Sequence, residues 1–454
     1  MSGVAEVNPK YLAEAASHTV PVGYKQTEVG VIPEDWEVMR LGHLAKFFKG
    51  SGLPKSELSE SGKIKCIHYG QLFTTYGPKI DRVISRTKNV GIVTSQENDV
   101  LMPTSDVTPN GLATASCITE TGVTLGGDIL IIRSDKQKLN GVFFSYLVNV
   151  LRDQVMQLVT GSTVYHLYGS DMAKFEFAFP SKEEQIAIAN ALSDVDALIS
   201  ELEKLIAKKQ AIKTATMQQL LTGRTRLPQF ALRDDGTPKS TKPSELGEIP
   251  EDWEVHSLGD LCNYQNGKAQ EQYFNSNGGY KVVSIGNYSE SGRYIDTGSY
   301  IDEKFKNEVG RFVLSRGDLA MILNDKTAIG TIIGRVLLIE ADETYVMNQR
   351  TMRLAPKGSV KSKYLHFLLN SDSVHKRIVG MAKPGTQIYV NTDDVLGFNL
   401  LISNSQEEQT AIATILSDMD AEIQALEQRL GKTRQIKQGM MQELLTGKTR
   451  LPIT

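Results

Sequence analysis

Apolar residues recur at alternating steps of four and three in two long stretches of this chain. In the first they are Ile188, Leu192, Val195, Ile199, Leu202 and Ile206; in the second, Ile412, Leu416, Met419, Ile423, Leu426 and Leu430. That spacing is the seam of a coiled coil, and Glu, Lys, Arg and Gln fill the outer positions. Ser181-Lys-Glu-Glu184 and Ser405-Gln-Glu-Glu408 stand ahead of the two patterns as capping-box signatures. Gly223 and Gly447 stand where a C′ glycine ends a helix, and no proline intervenes. The pattern predicts helices over 181–223 and 405–447, each roughly 60 Å long. So long a helix with so narrow a stripe needs a partner. The economical partner is the other helix, with Ile188–Ile206 facing Ile412–Leu430; the alternative is that each helix packs on its own globular body. Past the seam, Lys209 and Lys213 match Thr433 and Lys437, before Met217, Leu220 and Leu221, or Met440, Met441, Leu444 and Leu445, resume the apolar pattern.

The bodies ahead of the helices read as mixed α and β. "KVVSIGN", "DLAMIL", "GTIIGRVLLIE" and "TMRLAP" are short apolar, β-branched runs bounded by turn residues, the mark of strands. Gly141–Val159 and Lys361–Gly380 carry helical periodicity. Each leads into a glycine turn, "TGSTVYHLYGSDM" and "KPGTQIYVNTDDV", in which Gly161, Thr163 and Tyr165 line up with Gly385, Gln387 and Tyr389. Such turns can offer amides and polar side chains to phosphates or base edges. The same letters also describe a tight turn joining a helix to the last strand.

These elements come in duplicate. "IPEDWEV" at Ile32–Val38 returns at Ile249–Val255, and it holds the only two tryptophans, Trp36 and Trp253. "EEQIAIANALSDVDALISELEKL" returns as "EEQTAIATILSDMDAEIQALEQR", and "MQQLLTGRTRLP" as "MQELLTGKTRLP". A period of roughly 220 residues exceeds solenoid repeats of about 20–50, so a whole module is duplicated in tandem. The shared ends imply one framework, and the divergent middles imply two targets. The resulting organisation is an extension over 1–19, a body over 20–180, a helix over 181–223, a linker over 224–243 rich in Pro, Gly, Ser and charge, a second body over 244–404, a helix over 405–447 and a tail over 448–454. The fold class is α+β, two mixed α/β bodies with an antiparallel helix pair and approximate two-fold symmetry.

Composition narrows this picture little. Apolar residues make up 40% of the 454, charged residues 23%, and the formal net charge is −3, ordinary values that leave a local basic face possible. No run is long and apolar enough for a membrane span, and the first twenty residues lack the pattern of a secretory signal. Cys66, Cys117 and Cys262 form neither a C-x-x-C pair nor an even set, which fits a reducing cytosol. The seven histidines offer no H-x-x-x-H pair for metal. Gly447-Lys448-Thr449 lacks the upstream glycine of a phosphate-binding loop, Gln442 standing there instead. His166 reads as a surface or packing residue rather than a general base. No catalytic set can be nominated, so the reading is a binder whose two bodies meet two separated patches, a geometry that duplex DNA offers.

IPEDWEV followed by "RLGHLAKFFKG" or "SLGDLCNYQNG", a body closing on a Gly-Ser/Thr turn, then E-E-Q, a long helix and LLTG-[RK]-TRL closely resembles the specificity subunit of type I restriction-modification enzymes. The resemblance spans nearly the whole chain, twice. It implies bacterial phage defence, with each body a target recognition domain reading one half of a bipartite, asymmetric site in double-stranded DNA. It implies helices that set the gap between half-sites and dock two methyltransferase subunits. Those would carry S-adenosylmethionine and methylate adenine, and restriction subunits with ATP and Mg²⁺ would translocate and cut. This chain itself would hold no cofactor and no catalytic residue. The positions it suggests for DNA contact are Gly161, Ser162, Thr163 and Tyr165, with Gly385, Thr386, Gln387 and Tyr389. Lys49 and Lys268, Thr104 and Ser105, and Lys326 and Thr327 join them as loop residues suited to phosphates and base edges. "LLISNSQEEQ" lacks the proline of "FAFPSKEEQ", so the second helix could begin differently. The rival readings are a coiled-coil scaffold with two protein-binding bodies and an enzyme with an unrecognised site.

Overall fold

The computed structural model describes residues 20–327, 329–383 and 387–452. Gly385, Thr386 and the 1–19 extension lie outside them. The chain divides into two units, one of residues 1–203 with 429–454 and the other of residues 204–428. Each long helix, Lys182–Leu220 and Gln406–Leu444, therefore contributes one stretch to each unit.

In the first unit, a five-stranded sheet runs in the order Ala45–Lys49, Ile129–Ser134, Asp99–Pro103, Ser116–Ile118, Lys79–Ile80. Asp99–Pro103 is buried at every position, as a strand covered on both faces must be. Gly141–Val150 packs Phe143, Phe144 and Leu147 over it, with Phe175 and Phe177 alongside. Asn140 caps that helix by accepting from Phe143 N at 3.0 Å. In the second unit the counterpart sheet is Cys262–Asn266, Thr351–Pro356, Leu319–Ile322, Val336–Leu338. A second sheet there pairs Tyr280–Val283 with Tyr345–Met347 in parallel. The expected body helices are each broken in two, Gly141–Val150 with Arg152–Gln157, and Ser362–Leu369 with Asp372–Met381. In the second unit Asn370 holds the break: its side chain accepts from Val336 N at 3.0 Å and donates to Val336 O at 2.9 Å.

The helices run antiparallel within each unit. In the first, Asp196 pairs with Lys437 at 2.5 Å and Glu203 with Arg434 at 2.6 Å. In the second, Lys209 pairs with Glu422 and Lys213 with Asp420, both at 2.6 Å. The lysines that interrupt the apolar stripe are thus interhelical ion pairs, and Lys213 and Lys437 also lie over the Phe367 and Tyr146 rings.

The facing differs from the seam-on-seam expectation. Ile188 and Leu192 share an apolar cluster with Leu444 and Leu445, while Ile412 and Leu416 share one with Leu220 and Leu221. The start of each seam meets the apolar end of the other helix, because antiparallel helices of equal length put starts against ends. Leu202, Ile206 and Ile423 are buried; Val195, Ile199, Met419, Leu426 and Leu430 are half-buried. The same clusters contain body residues, so both readings of the helices hold in part.

IPEDWEV locks this arrangement. Trp36 is fully buried beside the end of the second helix, and its Nε1 donates to Glu184 Oε2 at 2.9 Å. Arg450 donates to both Glu184 and Asp35. The second unit repeats the clasp: Trp253 donates to Glu408 at 2.9 Å, and Arg226 binds Glu408 and Asp252. Each unit is therefore closed by the T-R exit of the other repeat. Gly447 (φ +72°) and Gly223 (φ +67°) seat against Pro33 and Pro250, where a Cβ would stand 2.6 and 2.5 Å from ring carbons. The expected capping boxes form by half. Ser181 and Ser405 accept from Glu184 N and Glu408 N at 3.2 and 3.1 Å, but the glutamate side chains serve the clasps instead. Gln185 and Gln409 accept from Asn140 N and Lys361 N, both at 2.8 Å, fastening each helix start to its body. Both helices begin at the same point of this scheme despite the missing proline.

The segment read as a linker, 224–243, has local structure of its own. It carries a 3₁₀ turn at Pro228–Phe230, an Arg233–Glu251 ion pair at 2.5 Å and the strand Thr241–Ser244. Burial pushes the Asp252 carboxyl up, but hydrogen bonds from Arg226 and Lys239 outweigh it and hold its pKa down at about 2. The three cysteines are buried. No helix among the described residues is long and apolar enough to cross a membrane.

Candidate nucleic-acid interface

In the first unit three segments meet at one corner. The strand Ala45–Lys49 ends at Gly50, where any Cβ would collide with the Gly126 carbonyl, so only glycine lets the two turns touch. Asp128 then turns in the left-handed region (φ +60°) into the strand Ile129–Ser134. Its carbonyl accepts from Thr104 N at 2.9 Å, and Thr104 O accepts from Leu167 N at 3.0 Å. Tyr165–His166 pairs antiparallel with Ser105–Asp106, His166 opposite Ser105.

The corner opens on a cleft of about 440 Å³ lined by Lys49, Thr104, Asp128, His166 and Tyr168 among others. Lys49 reaches Asp128 at 3.3 Å, and both side chains are about half exposed, so this pair contributes little to stability. His166 stacks on Tyr168 with ring centroids 6.0 Å apart. Lys49, Thr104, Ser105 and Tyr165 are thus brought together, and a bridge from Thr160 to His166 sets Gly161, Ser162 and Thr163 as an exposed loop beside them. His166 lines the cleft.

The second unit builds the same corner. Gly267 meets the Asn348 carbonyl as Gly50 meets Gly126. Arg350 (φ +65°) stands where Asp128 stands, its carbonyl accepting from Leu323 N at 2.9 Å, and Leu323 O accepting from Val390 N at 3.0 Å. Ile388–Tyr389 pairs with Asn324–Asp325, Tyr389 opposite Asn324. The counterpart of Tyr389 is therefore His166, not Tyr165, a shift of one residue from the alignment read off the letters. Thr104 and Ser105 correspond to Leu323 and Asn324, which the sequence reading passed over. Lys326 and Thr327 lie beyond, in a loop that Asp325 fastens by accepting from Thr327 N and Oγ1 and from Ile332 N. Lys49 precedes its corner glycine and Lys268 follows its own, so they are not equivalent; Asn266 takes Lys49's place and exchanges hydrogen bonds with Thr392. Gln387 accepts from Arg350 Nη1.

The side chains missed were Asp128, His166, Tyr168, Asn324 and Arg350. A signal for Asp128 existed in "GGD", but nothing in "NQR" marks a left-handed turn. Among the described residues no cluster of His, Cys, Asp and Glu could hold a metal ion. What the corners offer is backbone amides, hydroxyls, side-chain amides, rings and single charges. Groups of this kind can hydrogen-bond base edges and phosphates.

The sequence matches the family described as type I restriction modification DNA specificity domain twice, over residues 33–214 and 250–438. It is 27% identical over 422 residues to the type I restriction enzyme MjaVIII specificity subunit of Methanocaldococcus jannaschii, covering 92% of this chain and 94% of that one. The MjaIX specificity subunit of the same organism is 24% identical over 294 residues, 62% of this chain and 64% of that one. In structure the chain is similar to the S subunit of a type I restriction-modification system from M. genitalium, with a TM-score of 0.60 at 16% identity, covering 90% of this chain and 96% of that one. At this identity the likeness concerns the fold alone.

Proposed function

We propose, for a chain that belongs to the type I restriction-modification DNA specificity family, that its two units read the two unlike halves of one bipartite DNA site. The observation that carries this reading is the pair of corners. The backbone hydrogen bonds are the same in both, while the side chains they present differ at nearly every place: Asp128 against Arg350, Ser105 against Asn324, His166 against Tyr389. Same frame with different letters is what two recognition sites of unlike sequence require. Base edges in the major groove are told apart by such donors and acceptors.

The long helices are the spacer in this reading. Each is an unbroken 39 residues, about 58 Å at 1.5 Å per residue, and a helix this stiff sets a constant gap between the half-sites. Their outer faces dock two methyltransferase subunits, which supply S-adenosylmethionine and the adenine chemistry. Restriction subunits using ATP and Mg²⁺ join that assembly in the cytoplasm. This chain supplies the address and no catalytic group.

The test is selection from a random duplex library by the chain assembled with its methyltransferase partner. Two short motifs separated by a constant gap are expected. Insertion of about one heptad into each long helix should change the gap and leave the letters alone. Altered letters at an unaltered gap would refute the spacer, and capture of proteins without DNA enrichment would favour a scaffold.

A further inference from the structure

Among the described non-glycine residues with positive φ, two occupy equivalent places in the two units: Asp128 (φ +60°) and Arg350 (φ +65°). The left-handed region disfavours a side chain, and an arginine less readily adopts it than glycine, asparagine or aspartate. Glycine would turn this corner with less strain. A strained residue held where the backbone alone does not need it points to work for its side chain.

The surroundings fit that. Arg350 is exposed and makes no ion pair among the described residues. Gln387 accepts from its Nη1 and so orients the planar fork. The turn beneath it is rigid: Thr351 donates to Asn348 O, Asn348 Oδ1 accepts from Gln270 N at 2.9 Å, and Gln349 binds Glu271 at 2.7 Å. A pre-oriented arginine matches the O6 and N7 acceptors of guanine in the major groove. Asp128, at the same point of the other unit, can only accept, which suits the exocyclic amine of cytosine or adenine. Its neighbour Lys49 at 3.3 Å offsets its charge against the phosphates.

Resting on the reading of the two units as DNA readers, we infer that Arg350 is a specificity-determining residue that reads a guanine in the second unit's half-site, and that Asp128 reads an amine-bearing base at the matching place of the first. Arg350→Gly is the informative variant, because glycine takes this φ without strain and the fold is expected to survive. The wild type and the variant, each assembled with the methyltransferase partner, are taken through selection from a random duplex library. Arg350→Gly should lose discrimination at one guanine position of one half-site by about tenfold or more, with the other half-site and the gap unchanged. Asp128→Gly should relax one position in the opposite half-site. Unchanged letters with uniformly weaker binding would make Arg350 a phosphate contact and overturn the inference. So would degeneracy in both halves, or no enrichment at all by a folded, partner-bound variant. A wild type that selects no bipartite site would instead refute the DNA-reading function itself, a separate result.

Discussion

Arg226→Leu tests the clasp that closes the second unit. Glu408 has a side chain 1% exposed, and Arg226 is 11% exposed. Arg226 gives the carboxylate two hydrogen bonds, from Nε at 2.6 Å and Nη2 at 2.9 Å, while Trp253 and Ser403 give one each. Removing the arginine leaves a buried carboxylate with two of its four donors and no counter-charge. Breaking a buried pair in this way costs about 3–5 kcal/mol, and the surviving donors place this case at about 3 kcal/mol. Arg450 is 35% exposed, so the same change in the first unit should cost about half as much. The double variant Arg226→Leu/Glu408→Gln removes both charges and should recover about 1–2 kcal/mol of the loss. Each clasp holds one of the two tryptophans, so a Trp36→Phe background leaves Trp253 to report the second unit alone in urea unfolding. The depressed Asp252 pKa adds an acid signature. Its ion pair stabilises fully above the unfolded value near 4 and is lost as pH falls toward about 2. The variant should lose stability less steeply across that window. A cost under about 1 kcal/mol for Arg226→Leu, or no recovery in the double variant, would refute the clasp as a source of stability.

Gly447→Ala places a methyl 2.6 Å from the Pro33 ring at a φ of +72°, so a loss of about 2 kcal/mol or more in urea unfolding is expected, with Gly223→Ala matching it in the other unit. His366 is half-buried; desolvation first, and Lys213 second, push its pKa down to about 4. Because the folded value is depressed, stability is fully present above about pH 6.5 and falls as pH drops toward 4, by about 3 kcal/mol. His366→Gln should flatten that part of the pH profile of unfolding, and an unchanged slope would contradict the assignment.

Much of the framework could be read from the letters because its periods are physical. A 3.5-residue apolar repeat can only be a helix seam, and both helices begin and end within a few residues of where the caps and glycines put them. The facing of the helices was not legible because a seam's spacing carries no register; antiparallel geometry sets Met217, Leu220 and Leu221 beside Ile412 and Leu416. The shared ends signalled importance without mechanism. Trp36, Glu184 and Arg450 stand far apart in sequence, and nothing local says that a cap-like glutamate will leave its cap for an arginine 266 residues away. At the corner, loop polarity pointed to Lys49, Thr104, Ser105 and Tyr165, which the fold brings together, but gave no register for the second unit. Lys326 and Thr327 look like contacts, yet Thr327 is spent on Asp325, while Arg350 shows no sign in sequence of its left-handed backbone.

The division between what repeats and what differs has a physical logic. The groups that repeat between the units are those whose partners come from the other repeat or from the backbone: the Trp-Glu-Arg clasps, the Gln185 and Gln409 tethers, the lysine ion pairs. A change in one of these strands a buried charge or an orphaned donor, at a cost of kilocalories. The corner side chains hang from backbone hydrogen bonds that any residue can make, so exchanging Asp for Arg there leaves the frame's own bonds intact. Only the left-handed turn constrains the choice, and glycine always satisfies it. The arrangement lets the corner side chains change without unfolding the unit that carries them, and it confines the effect of such a change to one unit.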